Sequence, residues 1–459
     1  MAAIDVVIMA AGKGTRMKSS MPKVLHRLGG RALVQHVIDS ARQLSARHII
    51  AITGHGADQV EAALAGQAGL RFARQMPQLG TGHAVQQAMP VLGDDGVTLV
   101  LSGDVPLTQV PTLQALLQAS QGTQLALLTL QTAHPTGYGR IVRSPEGQVQ
   151  AIVEEKDATP EQRAITEIYS GIMAVPTHLL RTWLARLDNR NAQQEYYLTD
   201  VVKFARADGQ PVAAHLITEA AEVAGVNNPV QLAELERAYQ ARQARELMLQ
   251  GVRLADPARL DVRGVLSCGQ DVEIDVNCVF EGAVSLGDGV RVGANCVIAN
   301  AQIQGGTVIH PFTHIDGESA GVSIGRDARV GPFARLRPGA VLGDEVHIGN
   351  FVEVKNSTLA KAAKANHLAY LGDATVGERV NYGAGSITAN YDGVNKHRTV
   401  IEADVHVGSN SVLVAPVTIG EGGTIGGGST ITKDTPKGAL TVARGKQTSI
   451  ANWQRPQKK

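Results

Sequence analysis

Two groups of residues in this 459-residue chain have types and spacings suited to chemistry. The first is Ala10-Ala11-Gly12-Lys13-Gly14-Thr15-Arg16-Met17, directly after the apolar run Ile4–Ala10. Glycines let a backbone approach phosphate oxygens, and Lys and Arg neutralise their charge. The loop is not a P-loop, because Lys13 is not followed by Ser or Thr, and position 17 is Met, so it is not GxGxxG either. Alone it is weak evidence, since a plain tight strand-to-helix turn explains it at least as well. Its context adds chemistry. Lys23 follows in Pro22-Lys23-Val24-Leu25, and Gln78-Leu79-Gly80-Thr81-Gly82-His83-Ala84 offers a second glycine turn opening a helix. Ser102-Gly103-Asp104-Val105-Pro106 puts a carboxylate where a strand ends, a position suited to a magnesium ion. Gly137-Tyr138-Gly139-Arg140, Glu154-Glu155-Lys156 and Gly225-Val226-Asn227-Asn228 complete the group.

The second group surrounds His367, in Lys364-Ala365-Asn366-His367-Leu368-Ala369-Tyr370. Lys355-Asn356, Asn381-Tyr382-Gly383-Ala384 and Asn390-Tyr391-Asp392-Gly393 flank it. A lone histidine is usually structural, but this one stands among polar groups that could converge. Forming an amide from a thioester needs a base for the proton of the attacking amine, and neutral imidazole supplies one at physiological pH. It also needs donors near the developing oxyanion. His397 reads as a loop histidine.

The elements that must position these groups differ between the halves of the chain. In the first half, the runs Ile4–Ala10, His48–Thr53, Val97–Ser102 and Leu125–Leu130 alternate with helical stretches such as Ala32–Leu44. That pattern predicts a Rossmann-like α/β domain, with a mainly parallel sheet covered on both faces. Ligands then bind beyond the carboxyl ends of the strands, at the loops after Met9 and Ser102. Asn228-Pro229 opens a predicted linker helix over 229–250. From about residue 262 an aliphatic or aromatic residue recurs every sixth position: Ile274, Phe280, Leu286, Val292 and Ile298. The pattern resumes at Ile324 through Val354 and again at Ile401 through Ile431, with glycine after many of these positions. A period of six predicts a parallel β-solenoid, one aliphatic residue per short side. The gap between 354 and 401 reads as loops leaving the coil. Expected domains are therefore 1–228, the helix 229–250, and a solenoid with its tail over 251–459.

Composition narrows the class. The net charge of +1 gives no basic stripe for nucleic acid, and no apolar run approaches the ~20 residues of a membrane span. Cys268, Cys278 and Cys296 form no CxxC pair, and sparse thiols fit a reducing, cytoplasmic setting.

Taken in order, these motifs resemble the sugar-1-phosphate nucleotidyltransferases. With the solenoid behind them, the whole chain resembles the bacterial bifunctional N-acetylglucosamine-1-phosphate uridyltransferase / glucosamine-1-phosphate N-acetyltransferase family. The resemblance implies a left-handed parallel β-helix and synthesis of UDP-N-acetylglucosamine for the cell envelope. It implies contacts to UTP and the UDP-sugar from Met9, Ala10, Ala11, Gly12, Ser102 and Gly103, with Arg16 and Lys23 catalytic on the phosphates. Gln75, Gly80 and Thr81 would recognise uracil, and Gly139, Glu154 and Asn227 would hold the sugar. Asp104 and Asn227 would coordinate Mg2+. In the second site it implies His367 as the base, and Arg337, Lys355, Tyr370 and Asn381 on glucosamine-1-phosphate. Ala384, Asn390, Tyr391, Ser409, Gly427 and Arg444 would serve acetyl-CoA. A homotrimer is also implied, and flat prism faces suit packing about an axis. Two positions depart from the family pattern. Tyr169 stands in Glu167-Ile168-Tyr169-Ser170-Gly171 where Asn is usual, and Gly427 where Ala is common. The rival reading is a sugar nucleotidyltransferase whose solenoid only mediates oligomerisation; His367 and Arg444 argue against it.

Overall fold

A computed structural model describes residues 2–456 as two compact units that divide between Tyr239 and Gln240. The first is built on a sheet whose strands are β1 (Ile4–Ala10), β2 (His48–Thr53), β3 (Leu70–Arg74), β4 (Val97–Ser102), β5 (Leu125–Gln131), β6 (Arg140–Arg143), β7 (Val149–Val153), β8 (Glu167–Pro176) and β9 (Val212–Ile217). The order across the sheet is β9-β5-β8-β4-β1-β2-β3, with the β6–β7 hairpin attached through β8. β1 is parallel to β2 and β4, and β2 to β3. The expected mainly parallel sheet carries two exceptions: β8 runs antiparallel between β4 and β5, and β6 and β7 pair as an antiparallel hairpin.

The unbroken apolar run of β1 follows from burial on both faces. Val6 and Ile8 enter one core with Val34, Val37 and Ile38 of the helix Leu33–Gln43. Val7 enters the other with Ala84, Val85 and Ala88 of the helix Thr81–Ala88. Successive side chains of a strand point to opposite faces, so a central strand has no place for alternating polarity.

The helix Pro229–Leu249 spans the division between the units, which falls between Tyr239 and Gln240. Asn228 Oδ1 accepts from the Gln231 amide at 2.9 Å, the N-cap geometry expected of Asn before Pro. Leu235 and Tyr239 pack with Met17, Leu28 and Leu33 of the first unit. Ala244 and Leu247 belong to the core of the second.

The second unit is a parallel β-solenoid. One face is an eleven-strand stack running from Arg253–Leu254 to Leu440–Thr441; the other two are joined through Val297–Ile303 in a sixteen-strand sheet. Every residue of the three hexapeptide runs lies inside, at most 3% exposed. Two expectations change. The coil begins at Arg253, ahead of residue 262, because Leu254 and Ile274 already pair in register. The gap between 354 and 401 is mostly coil as well. Leu359, Ala365, Leu371, Val376, Tyr382 and Thr388 continue the inward positions, all buried. Two single-residue deletions, Val354 to Leu359 and Leu371 to Val376, shift the phase, and Ala, Tyr and Thr disguise it. Only residues 390–398 leave the coil, as a hairpin closed by the Tyr391–Lys396 bridge. Cys278 and Cys296 are core positions; burial pushes their thiols up to about 11 and about 12.

Candidate functional sites

The cleft of the first unit forms where β1 and β4 end side by side. Met9 pairs with Ser102, and the Gly103 amide donates to the Met9 carbonyl at 2.9 Å. Met9, Ala10, Ala11, Gly12, Lys23, Gln75, Gly80, Thr81, Ser102 and Asp104 line this one cleft. Lys13, Gln78 and Glu195 line it too; Glu195 lies in a loop with no motif to mark it. That loop is fixed by backbone bonds, Tyr196 N to Leu79 O and Gly82 N to Tyr196 O, both 2.8 Å. Gly80 has φ +111°, and a Cβ there would lie 2.6 Å from the Tyr196 carbonyl, so no other residue fits. Gln75 is buried, its amide donating to the Gly80 carbonyl at 2.9 Å.

Arg16, Lys23, Asp104 and Asn227 meet at one point. Lys23 Nζ donates to Asp104 Oδ2, and to Asn227 Oδ1 at 3.2 Å; Arg16 Nη2 reaches the same Asn227 oxygen at 2.9 Å. Asn227 is brought 123 residues back to Asp104 by the Val226 amide, which donates to the Asp104 carbonyl at 2.9 Å. Two hard oxygens thus already converge on one cation, the lysine ammonium. Among the described residues no cluster of three or more His, Cys, Asp or Glu could hold a metal. A divalent ion here would take two protein oxygens and complete its sphere from substrate and water, the common arrangement for magnesium.

Gly139 and Glu154 adjoin each other outside the lining of that cleft; a Cβ on Gly139 would lie 3.7 Å from Glu154 Oε2. Burial raises the Glu154 carboxyl above its ordinary range, while the Thr199 hydroxyl, donating to Oε1 at 3.0 Å, opposes this. Tyr169 lies close enough to feel the Glu154 charge, and its buried hydroxyl has no hydrogen-bond partner. An unpaired buried hydroxyl costs about 1–3 kcal/mol. Tyr169→Phe is therefore expected to leave the ligand-free first unit as stable or about 1 kcal/mol more stable, read by thermal unfolding. A clear loss of stability would mean the hydroxyl is satisfied.

In the solenoid, His367 ends the strand Lys364–His367 at a corner, rather than lying in a loop outside the coil. Its Nδ1 lies 2.8 Å from Asn350 Oδ1. An amide oxygen only accepts, so in the neutral ring Nδ1 carries the hydrogen and the lone pair sits on Nε2. Asn350, unmarked in the sequence reading, pairs with His367 one coil earlier, 17 residues back. The coil length is the signal that finds it. The same corner continues upward: Gly385 N bonds to the carbonyls of His367 and Leu368, Asn410 N to Ala384 O and Gly428 N to Ser409 O. With Tyr382 paired to Val407 and Val407 to Ile425, Ala384, Ser409 and Gly427 form a column above His367. Arg444 Nη1 donates to the Gly427 carbonyl at 2.8 Å.

The two faces meeting at this corner carry the other residues. On one, Arg337 and Lys355 follow the paired Leu336 and Val354, with Tyr370 beside Glu353 on the next coil. The neighbouring Lys396 ammonium of the hairpin, with burial and the Arg337 charge, pushes the Lys355 pKa down. The crowding leaves positive charge available to an anion beside the Arg337–Glu353 pair, and no motif in the sequence marks Lys396. Asn381 lies on the other face, paired with Lys364. The buried Asp373 carboxylate accepts from Asn356 and Asn390, anchoring the hairpin root. Tyr391 lies out in the hairpin, its hydroxyl donating to the Gly393 carbonyl at 2.5 Å. His397, read as a loop histidine, bonds Asp392 Oδ2 at 2.7 Å within the same hairpin.

Comparison with known proteins agrees with both halves. Residues 6–254 match the MobA-like NTP transferase domain, and residues 321–356 and 398–433 match the bacterial transferase hexapeptide (six repeats). The chain is 76% identical over 465 residues to the Bifunctional protein GlmU of Polaromonas naphthalenivorans, covering 99% of this chain and 98% of that one. It is 71% identical to the protein of that name from Albidiferax ferrireducens, covering 99% and 100%, and 58% identical to that of Bordetella parapertussis, also covering 99% and 100%. With a nucleotidyltransferase half, a hexapeptide half and full-length identity of this degree, the chain belongs to the GlmU family of bifunctional uridyltransferase and acetyltransferase enzymes.

Proposed function

We propose that the solenoid acetylates glucosamine-1-phosphate with acetyl-CoA, and that the cleft then joins N-acetylglucosamine-1-phosphate to UMP from UTP. In the first step the amine attacks the thioester carbonyl, His367 Nε2 takes its proton, and CoA leaves as the thiol. Arg337, Lys355, Tyr370 and Asn381 hold the sugar phosphate on the two faces flanking the base. Ala384, Ser409 and Gly427 present the column along which CoA lies, with Asn390 and Tyr391 at the hairpin and Arg444 toward a phosphate. In the second step a sugar-phosphate oxygen attacks the α-phosphorus of UTP, and the bond to pyrophosphate breaks. Gln75, Gly80 and Thr81 bind uracil, Gly139, Glu154 and Asn227 the sugar, and the Ala10–Gly12 backbone the nucleotide. Arg16 and Lys23 neutralise the triphosphate, so catalysis is positioning plus charge stabilisation. Asp104 and Asn227 would hold Mg2+, which supplies further charge neutralisation on the phosphates.

The observation that carries the two-activity reading is the Asn350–His367 bond at the foot of the Ala384–Ser409–Gly427 column. A solenoid serving oligomerisation alone has no use for a histidine ring oriented in this way. The test is thiol release from acetyl-CoA with glucosamine-1-phosphate; no release above background would favour the oligomerising reading.

The working form is a homotrimer in the cytoplasm, feeding UDP-N-acetylglucosamine to cell-envelope synthesis. Its support is an exposed apolar ladder beside His367: Phe312, Phe333 and Phe351 stack at 5.0 and 5.3 Å, and Leu368 follows. Such a patch invites a protein surface. Among the described residues no helix is long and apolar enough to cross a membrane. A fragment ending near residue 239 is expected to keep uridylyl transfer, since its sheet has its own cores, and to lose acetyl transfer and trimerisation together. Sedimentation and both assays on fragment and full chain decide it. A full-length monomer with full acetyltransferase activity would sink the trimer.

A further inference from the structure

The oxygens of Asp104 and Asn227 are already engaged by the chain's own cations and hydroxyl. Lys23 Nζ donates to Asp104 Oδ2 and Asn227 Oδ1, Arg16 Nη2 donates to Asn227 Oδ1, and Ser102 Oγ donates to Asp104 Oδ1 at 2.7 Å. This is a built arrangement and not a surface ion pair. The Lys23 and Asp104 side chains are only 15% and 16% exposed. Lys23 can come this close because Gly14, at φ +58°, has no side chain: a Cβ there would lie 2.7 Å from Lys23 Cβ.

A divalent ion using Asp104 Oδ2 must first displace the ammonium, because two cations at one carboxylate oxygen repel strongly in a half-buried site. A triphosphate changes the balance. It offers Lys23 and Arg16 a larger negative charge, and it brings oxygens of its own to the metal. We propose that Lys23 is a positioning residue that holds the place of the metal, so that the cleft takes up a divalent cation only together with nucleotide. Free ions bind weakly to the ligand-free site. The arriving triphosphate draws Lys23 off Asp104 and opens both oxygens, and nucleotide and metal each tighten the other. The inference rests on the reading of Asp104 and Asn227 as metal ligands.

The test measures Mn2+ binding to the full-length protein from the electron paramagnetic resonance signal of the free ion, so it does not depend on turnover. Without nucleotide, Lys23→Met is expected to bind Mn2+ about tenfold or more tightly than the unchanged protein, since one positive charge is gone from the ligand oxygens. Lys23→Arg, which keeps the charge, should bind as weakly as the unchanged protein. Adding Asp104→Asn to Lys23→Met should remove the gain. A second arm adds a non-hydrolysable UTP analogue, with which the unchanged protein should hold Mn2+ in a manner dependent on Asp104. If the analogue arm succeeds but Lys23→Met binds free Mn2+ no more tightly, the placeholder role is wrong and the metal ligands stand. If Asp104→Asn has no effect on Mn2+ even with the analogue, the metal assignment falls, and this inference with it.

Discussion

Replacing His367 by Ala is expected to cut acetyl transfer about 10²–10⁴-fold, the usual loss when a general base is removed, with UDP-sugar formation unchanged. The selectivity follows from the fold. His367 is an exposed corner residue whose ring takes no part in the solenoid core, so its loss costs little stability. The residues proposed for uridylyl transfer all belong to the first compact unit. Asn350→Ala should produce a smaller loss in the same assay, because it removes the bond that fixes the tautomer and leaves the base in place. If His367→Ala retains a near-normal rate, the histidine is structural and the proton goes elsewhere.

Asp104→Ala is expected to lower uridylyl transfer at least about 10²–10³-fold, as loss of a key group stabilising transition-state charge commonly does, and to spare acetyl transfer. The variant also leaves Lys23 without its carboxylate partner, freeing the ammonium for phosphate. The deficit therefore should not be a failure to bind UTP. KM for UTP should change less than kcat, and added magnesium should not restore the rate. Near-normal turnover in Asp104→Ala would overturn the role given to this carboxylate.

Much of this was legible before any fold was considered. Continuous apolar runs located β1, β2 and β4 to the residue, because strands buried on both faces have no alternation to blur their limits. The six-residue period located the solenoid interior, because each short side has room for one inward side chain. It failed over 355–390, where two coil sides are one residue short and the inward positions are Ala365, Tyr382 and Thr388. Thr388 is tolerated inside because its hydroxyl trades hydrogen bonds with the Gly372 backbone at 2.8 and 3.0 Å. A polar residue so satisfied is invisible to a reading by hydrophobicity.

The sequence by itself determined which residue types are available: a glycine loop with Arg16 and Lys23, a carboxylate at a strand end, and a histidine among amides. It also determined the two architectures that carry them, since hydrophobic period is a local property. Only the tertiary structure decided who meets whom. The 123-residue return of Asn227 to Asp104 depends on one backbone bond at Val226, and the Glu195 loop reaches the cleft through the Leu79 and Tyr196 backbones. The pairing of Asn350 with His367, and the rise of Ala384, Ser409 and Gly427 above them, depends on coil register. Register accumulates over every turn of the solenoid, so it is set by lengths and hydrogen bonds along the whole coil and not by any motif within it.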